Sequence, residues 1–328
     1  MCNIYAPVLI PTLNRYEHFK RCLESLEKCT GADKTDVFVA LDYPPSEKYL
    51  EGWKKIDIYL AEKELSNSFN NLFVDRRERT FGVGHSNSNL NVLIRDVVKN
   101  YDRYIFSEDD NEFSPCFLEF MNKSLERFKG DNSILKVCGY NYLQEDLPSD
   151  YKANYFFSKR GSAWGTGNWV KKDVLLSKYY DLDFLKGLLQ DDVIYQMFRE
   201  KNPQCISYIR AMLKKKQLYG DSIWEIYCAI NDAKFVLPRT SATRNHGFDG
   251  SGWHSNHLEN SLFKYYSEKE IDTNTYFDFI DDDNILEYKY ESDHSFERGF
   301  RRYYKKMVKI IDVFLIRKFN FVPTSKYI

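Results

Sequence analysis

Over its first third the chain alternates short apolar runs with amphipathic stretches. "APVLIPTLNR" holds an apolar run, Val8 to Ile10, that stops at Pro11, which predicts a buried strand entering a loop. "YEHFKRCLESLEKC" then repeats apolar positions at Phe19, Leu23 and Leu26 with charged residues between them, the pattern of an amphipathic helix. "DVFVALDYPP" reads as a second strand, Val37 to Leu41, closed by Asp42 and the Pro44-Pro45 pair. "LFVDRRERTFGVGHSNSNLNVLIRDVVKNY" reads as strand, glycine-containing loop and helix, and "RYIFSEDD" as a fourth strand. Strands alternating with helices predict an α/β fold with a mostly parallel, doubly wound central sheet flanked by helices.

The second half is less regular. "SKRGSAWGTGNWVKKDV" is punctuated by glycines and carries Trp164 and Trp169, and "DLDFLKGLLQDDVIYQMFREKN" looks helical. "GDSIWEIYCAINDAKFVLPRTSATRNHGFDGSGWH" runs from Asp221 through a helix and a short strand into a Gly/Ser-rich loop. With no internal repeat and no flexible linker, the organisation is one large domain over 1–260 and a helical C-terminal segment over 261–328. Within that segment, 298–319 carries Arg298, Arg301, Arg302, Lys305, Lys306, Lys309, Arg317 and Lys318 against one acid, Asp312. Phe300, Tyr304, Met307, Ile311, Phe314 and Leu315 are interleaved with them. Such a helix suits an anionic membrane surface; a docked helix with a solvated basic face is the competing reading.

Composition narrows the class. A formal net charge of −1 argues against a general nucleic-acid binder. Seven scattered cysteines without a C-x-x-C pair give neither a disulfide framework nor a zinc site and fit a reducing cytoplasm. The N-terminus lacks the basic and apolar regions of a signal peptide, and no apolar stretch approaches the roughly 20 residues of a spanning helix. The expectation is a cytoplasmic protein, soluble or peripheral at the inner membrane face.

The candidate chemistry centres on "SEDDNE", where Glu108, Asp109 and Asp110 end the fourth strand. Three carboxylates on one turn repel unless solvated or relieved by a cation, and hard Mg²⁺ or Mn²⁺ ions prefer such oxygens. An acidic surface turn is the plain alternative, but Asp42 also follows a strand, and in these sheets ligands bind past the strands' carboxyl ends. Gly82-x-Gly84 before a helix can cradle phosphate, yet it lacks the third glycine of a dinucleotide fingerprint. Arg76, Arg77 and Arg79 read as a solvated run or as diphosphate partners, and His85 as a loop residue. His246, His254 and His257 lack the spacing and the cysteines of a structural zinc site; their glycine-rich loop fits one that closes over a diphosphate.

Four segments in order carry a family resemblance. "VLIPTLNRYEHFKRCLESL" resembles the opening strand and helix of GT-A glycosyltransferases, and "FSEDDNEFSPCFLEFM" their D-x-D metal motif in its N-acetylglucosaminyltransferase I-like E-D-D form. "GTGNWVKKDV" is similar to their acceptor segment, and the stretch from Gly220 to His254 to the closing part of bacterial polysaccharide glycosyltransferases of the family 2 kind. The resemblance spans roughly residues 5–260. It implies a nucleotide-sugar half over about 1–115 and an acceptor half over about 116–260. It places Pro11, Thr12, Asn14, Arg15, Asp42, Arg79, Glu108 and Asp109 around the nucleotide, Asp110 with His246 or His254 on Mn²⁺ or Mg²⁺, Trp164, Gly165 and Trp169 at the acceptor, and Asp221 as base. E-D-D in place of D-x-D leaves the division between Asp109 and Asp110 open.

The implied reaction is inverting transfer of a sugar from a nucleotide-sugar, a UDP-sugar above all, to a saccharide or lipid-linked saccharide in surface polysaccharide synthesis. It needs carboxylates in two places, one set to hold a cation against the departing diphosphate and one to deprotonate the acceptor hydroxyl. Glu108 to Asp110 and Asp221 supply both. Asp221 also reads as a helix N-cap, and Asp191-Asp192 is a rival base that reads more naturally as a helix start. The rival functions are a sugar-nucleotide nucleotidyltransferase, whose glycine-rich first loop "IPTLNRYEHFK" does not supply, and a non-catalytic, membrane-docked sugar-binding protein.

Overall fold

The computed structural model describes residues 5–142, 147–252, 268–282, 284–288 and 300–323. At the middle of the parallel block of its main sheet lies β1, Val8–Thr12, paired in parallel with β2, Asp36–Leu41, on one side and with β4, Arg103–Phe106, on the other. Val8, Leu9 and Ile10 are fully buried, as a continuous apolar run with both faces covered should be. β3, Asn71–Arg76, pairs in parallel with β2 as the sheet's edge, and its residues alternate between exposed and half-buried.

β1 runs one residue beyond the proline at which the sequence pattern ends it. The carbonyls of Pro7 and Leu9 accept from the N–H groups of Ile105 and Ser107, so the odd positions of β1 face β4. Pro11 faces that same side past the last β1–β4 pair, Leu9 with Phe106. No ladder bond is asked of its missing N–H, so the strand tolerates it.

The far half of the sheet adds β6, Ile134–Cys138, β7, Tyr155–Ser158, β8, Thr166–Trp169, β9, Lys234–Pro238, and β11, Glu287–Tyr288. The order is β11-β7-β9-β6-β8-β4-β1-β2-β3, and five of the eight neighbouring pairs are parallel. The fold is therefore α/β with a mostly parallel central sheet. β8 lies antiparallel between β4 and β6 and joins the two halves. A separate ribbon pairs β5, Asn111–Phe113, with β10, Thr243–Asn245.

Helices α1, Tyr16–Glu27, α2, Leu50–Leu65, α3, Asn89–Val97, and α4, Phe117–Arg127, flank the first half. α1 buries Phe19, Cys22, Leu23 and Leu26, the stripe its sequence predicts. The second half adds α5, Val170–Leu176, α6, Leu182–Gln190, α7, Asp192–Lys201, α8, Pro203–Lys215, and α9, Gly220–Asn231. The stretch read as helical around Asp191 is two helices. Asp191 leaves helical geometry (φ −69°, ψ 120°) and caps α7 by accepting the N–H of Ile194.

The C-terminal segment is not helical throughout. β11 extends the main sheet beside β7. Phe277 sits edge-on to Phe120 at 5.0 Å, and its N–H donates to Glu119 Oε2 at 2.7 Å. The alternation in "YFDFI" explains this, since a period of two buries Phe277 in an extended chain and not in a helix. The final helix, α10, Phe300–Phe319, packs on α6 and α8 with Val313 and Ile316 in a second apolar core. The six described cysteines are free and buried. Among the described residues, no helix is long and apolar enough to cross a membrane.

Candidate functional site

The chain passes from β1 to β2 and β3 on one side and returns to β4 on the other, which puts a topological switch between β1 and β4. Crevices open past the carboxyl ends of strands at such a point. There, Thr12 ends β1 and donates from Oγ1 to Asp109 Oδ2 at 2.8 Å. Arg15, three residues on, pairs with Asp109 Oδ1 and, at 2.8 Å, with Asp110 Oδ2. The loop between them is braced from outside: a β-carbon on Gly52 of α2 would meet the Asn14 carbonyl at 2.0 Å.

The ribbon carries the late loop to the same turn. Asn245, opposite Asn111 in the β5–β10 pair, donates from Nδ2 to Asp110 Oδ1 at 2.6 Å and to Asn111 Oδ1 at 3.0 Å. The N–H of His246 donates to the Asp110 carbonyl at 2.9 Å. Gly247 follows, and a β-carbon on it would lie 2.2 Å from Asp110 Oδ2. The His246 ring turns to Glu112, with Nε2 and Oε2 at 2.7 Å, and that pairing holds the Glu112 carboxyl below its usual range. Among the described residues of this loop, the side chain that reaches the Asp110 carboxylate is that of Asn245. His254 and His257 lie outside the described residues.

Burial dominates the electrostatics of the turn. It pushes the Glu108 carboxyl well up, and the neighbouring Asp110 charge adds to the rise. Asp109 is raised by burial too, with Arg15 pulling the other way. Burial works against the Arg15 charge, yet Asp109 and Asp110 hold it above its ordinary value. Asp221 belongs to the first turn of α9, is exposed, and accepts the N–H of Ser222 at 2.7 Å. Tyr219, not Asp221, takes the cap position. The Asp221 charge contributes to the raised pKa of Glu108, after burial and the nearer carboxylates. Asp191 is spent as a cap and Asp192 pairs with Arg317.

The remaining candidates divide. Half-buried Trp164 packs edge-on against Tyr140 at 4.6 Å and against Phe248, the residue after Gly247, at 5.4 Å, so an aromatic wall continues from the Asp110 turn. Trp169 is buried, with its indole N–H on the Leu125 carbonyl at 3.0 Å and Lys172 3.9 Å over its rings; its side chain packs the core. Gly165 adopts φ +74° against Phe117 and Thr243, a backbone requirement of the turn before β8. The Asp42 carboxylate accepts the N–H groups of Tyr43, Phe81 and Gly82 at 3.0, 2.8 and 2.8 Å and so ties the loop after β3 to the end of β2. Arg79 is exposed and lies over Phe81. It lines a concavity of about 540 Å³ with His85, Asn87 and Arg95. Asn245, Phe248 and the buried Glu225, one turn along α9 from Asp221, were not singled out from sequence. Only Asn245 carried a signal, the N-x-G step into the loop.

Among the described residues, no three His, Cys, Asp or Glu side chains converge as a ready-made metal cage. The donor set still suits a hard cation that keeps most of its shell for phosphate. Glu108 and Asp110 offer carboxylate oxygens on one turn, and a cation there would favour the ionised Glu108 that burial and Asp110 disfavour.

No family model and no curated protein matches the chain. Among solved structures, TarS from S. aureus overlaps 45% of this chain and 24% of its own, with 19% identity and a TM-score of 0.31. Its 1–349 form overlaps 46% and 41%, with 19% identity and a TM-score of 0.32. The mannosyltransferase PcManGT from Pyrobaculum calidifontis, in complex with GDP-Man and Mn²⁺, overlaps 54% and 46%, with 12% identity and a TM-score of 0.35. The chain thus matches less than half the length of each. Overlaps this partial leave the chemistry to be argued from the crevice itself.

Proposed function

We propose that the chain is a cytoplasmic, metal-dependent, inverting glycosyltransferase of GT-A type, moving a sugar from a nucleotide-sugar, a UDP-sugar above all, to a saccharide or lipid-linked saccharide in surface polysaccharide synthesis. One observation carries the reading. The Glu108–Asp110 turn stands at the β1–β4 switch, fixed by Arg15 and Asn245, with Asp221 on a separate element within electrostatic reach.

A Mg²⁺ or Mn²⁺ ion held by Asp110 and Glu108 would neutralise charge on the departing diphosphate. Thr12, Arg15 and Asn245 keep the two aspartates in fixed orientations, which spares reorganisation during transfer. Asp42, by accepting the N–H groups of Phe81 and Gly82, would fix the glycine loop beside the nucleotide. Asp221 accepts the proton of the acceptor hydroxyl as its oxygen bonds to the anomeric carbon. The bond from that carbon to the diphosphate oxygen breaks on the opposite face, and its electron pair leaves with the diphosphate. Trp164 and Phe248 offer ring faces and edges to the acceptor sugar.

Arg15 favours a second reading. It already pairs with both Asp109 and Asp110, as in a closed ion-pair turn of a non-catalytic sugar-binding protein. Calorimetric titration of UDP and GDP, with and without Mn²⁺, separates the two. Metal-dependent UDP binding lost in Asp110→Asn, followed by donor hydrolysis in the wild type, supports transfer; metal-independent binding, or none, rejects it.

A further inference from the structure

The final helix α10 is docked with its sides reversed for a helix that meets water. Its inward side carries Val313 and Ile316 together with its one acid, Asp312, which is 4% exposed and paired with Arg210 and, at 3.0 Å, with Lys214. Its outward side carries Met307, Ile310, Ile311 and Phe314 at 42%, 56%, 51% and 52% exposure. These four are spaced i, i+3, i+4, i+7, one continuous stripe. Phe319 extends it by packing edge-on against Phe314 at 5.8 Å. A docked helix normally shows water its polar side. This one leaves uncovered a stripe that shares its helix with seven bases and whose single carboxylate is neutralised on the opposite face.

We infer that this stripe is a docking surface for an anionic lipid bilayer, which α10 meets side-on. Both halves of the pattern point to that occupant. The apolar side chains enter the boundary between headgroups and acyl chains, while the helix's excess of bases over acids, which stands even with Arg317 paired to Asp192, draws it to anionic headgroups. A second copy of the chain would cover the stripe but would bring two cationic helices together, a repulsion that nothing on the inward-turned acid offsets. Attachment is peripheral, because no described helix is long and apolar enough to span.

The test uses the intact chain and vesicles of phosphatidylcholine, with or without phosphatidylglycerol, in a flotation assay. The wild type should float with the phosphatidylglycerol vesicles, less so as salt is raised, and should stay behind with phosphatidylcholine alone. Ile310→Glu with Phe314→Glu should reduce partitioning at least about tenfold without lowering the thermal midpoint, since both side chains are exposed. Light scattering on the same samples gives the mass. Failure of the wild type to float overturns the inference, as does floating that the double variant retains. A wild-type dimer that the double variant dissociates would assign the stripe to self-association instead. None of these readouts involves nucleotide, so they stand or fall separately from sugar transfer.

Discussion

Gly247 lies so close to Asp110 that a β-carbon on the glycine would stand 2.2 Å from the carboxylate Oδ2. The nearest atoms belong to a side chain that Arg15 and Asn245 already hold on both oxygens, so the carboxylate cannot swing aside without breaking one of those bonds. Gly247→Ala should therefore act on the site more than on the fold. Metal-dependent UDP affinity, measured by calorimetry, should fall at least about tenfold, while overpacking costs about 1–3 kcal/mol of stability. Unchanged affinity in a folded variant would mean that the orientation of Asp110 is irrelevant to nucleotide binding.

Arg15 bridges two buried carboxylates, and deleting it strands both. Arg15→Ala should lose about 3 kcal/mol in denaturant unfolding, the usual cost of leaving a buried charge unpaired. Arg15→Lys should recover part of this only, since a point charge cannot replace a planar fork serving two acceptors. The same variant reports on the cation. With the competing guanidinium gone, Mn²⁺ should raise the thermal midpoint of Arg15→Ala more than that of the wild type, because a ligand that binds only the folded state stabilises it. If Mn²⁺ shifts neither protein, the turn holds no metal.

Asp221 is exposed, accepts among the described contacts only from its neighbour Ser222, the N–H at 2.7 Å and the hydroxyl at 3.5 Å, and is not the cap of its helix. Asp221→Asn should consequently leave stability and UDP affinity close to wild type. It should lower the turnover for transfer by about 10²–10⁴-fold, the range expected when a general base is removed. Nucleotide affinity falling as steeply as turnover would place Asp221 in the binding of the donor and not in proton transfer.

The parts of this arrangement that could be read from sequence are those set by neighbours along the chain. The run Val8 to Ile10, the stripe of Phe19, Leu23 and Leu26, and the three carboxylates at the end of β4 each follow from a local period or a local cluster. The Asn245–Asp110 contact does not, because it depends on a ribbon pairing that joins residues 135 positions apart. Trp169 illustrates a second limit. A glycine- and tryptophan-rich segment looks like a sugar platform, but nothing in its composition says which tryptophan points into the sheet's packing. β8 turns Trp169 toward α4 through the Leu125 carbonyl and leaves Trp164 on the preceding turn beside Phe248. Asp42 shows a third: a carboxylate past a strand end is a good candidate ligand, and equally a good acceptor for the N–H groups of the next loop.

Glu225 gives the protein a pH dependence of its own. It lies buried one turn beyond Asp221, and burial raises its carboxyl from an ordinary value of 4.5 to about 7, against the pull of Arg160 and Tyr208. Below the ordinary value both the folded and unfolded chains carry the proton, and the residue contributes no slope. Between that value and about 7 the folded chain keeps a proton that the unfolded chain has released, so stability falls as pH rises. Glu225→Gln removes this loss while keeping the side chain's size. Relative to wild type, the variant should gain on the order of 2 kcal/mol in denaturant unfolding on going from about pH 4 to about pH 8. Carboxyls with lowered values, such as Glu112 and Asp249, tilt the profile the other way at acid pH but are common to both proteins and cancel in the difference. An equal gap at the two pH values would mean that Glu225 titrates at its ordinary value in the folded protein, its burial compensated by Arg160 at 3.3 Å.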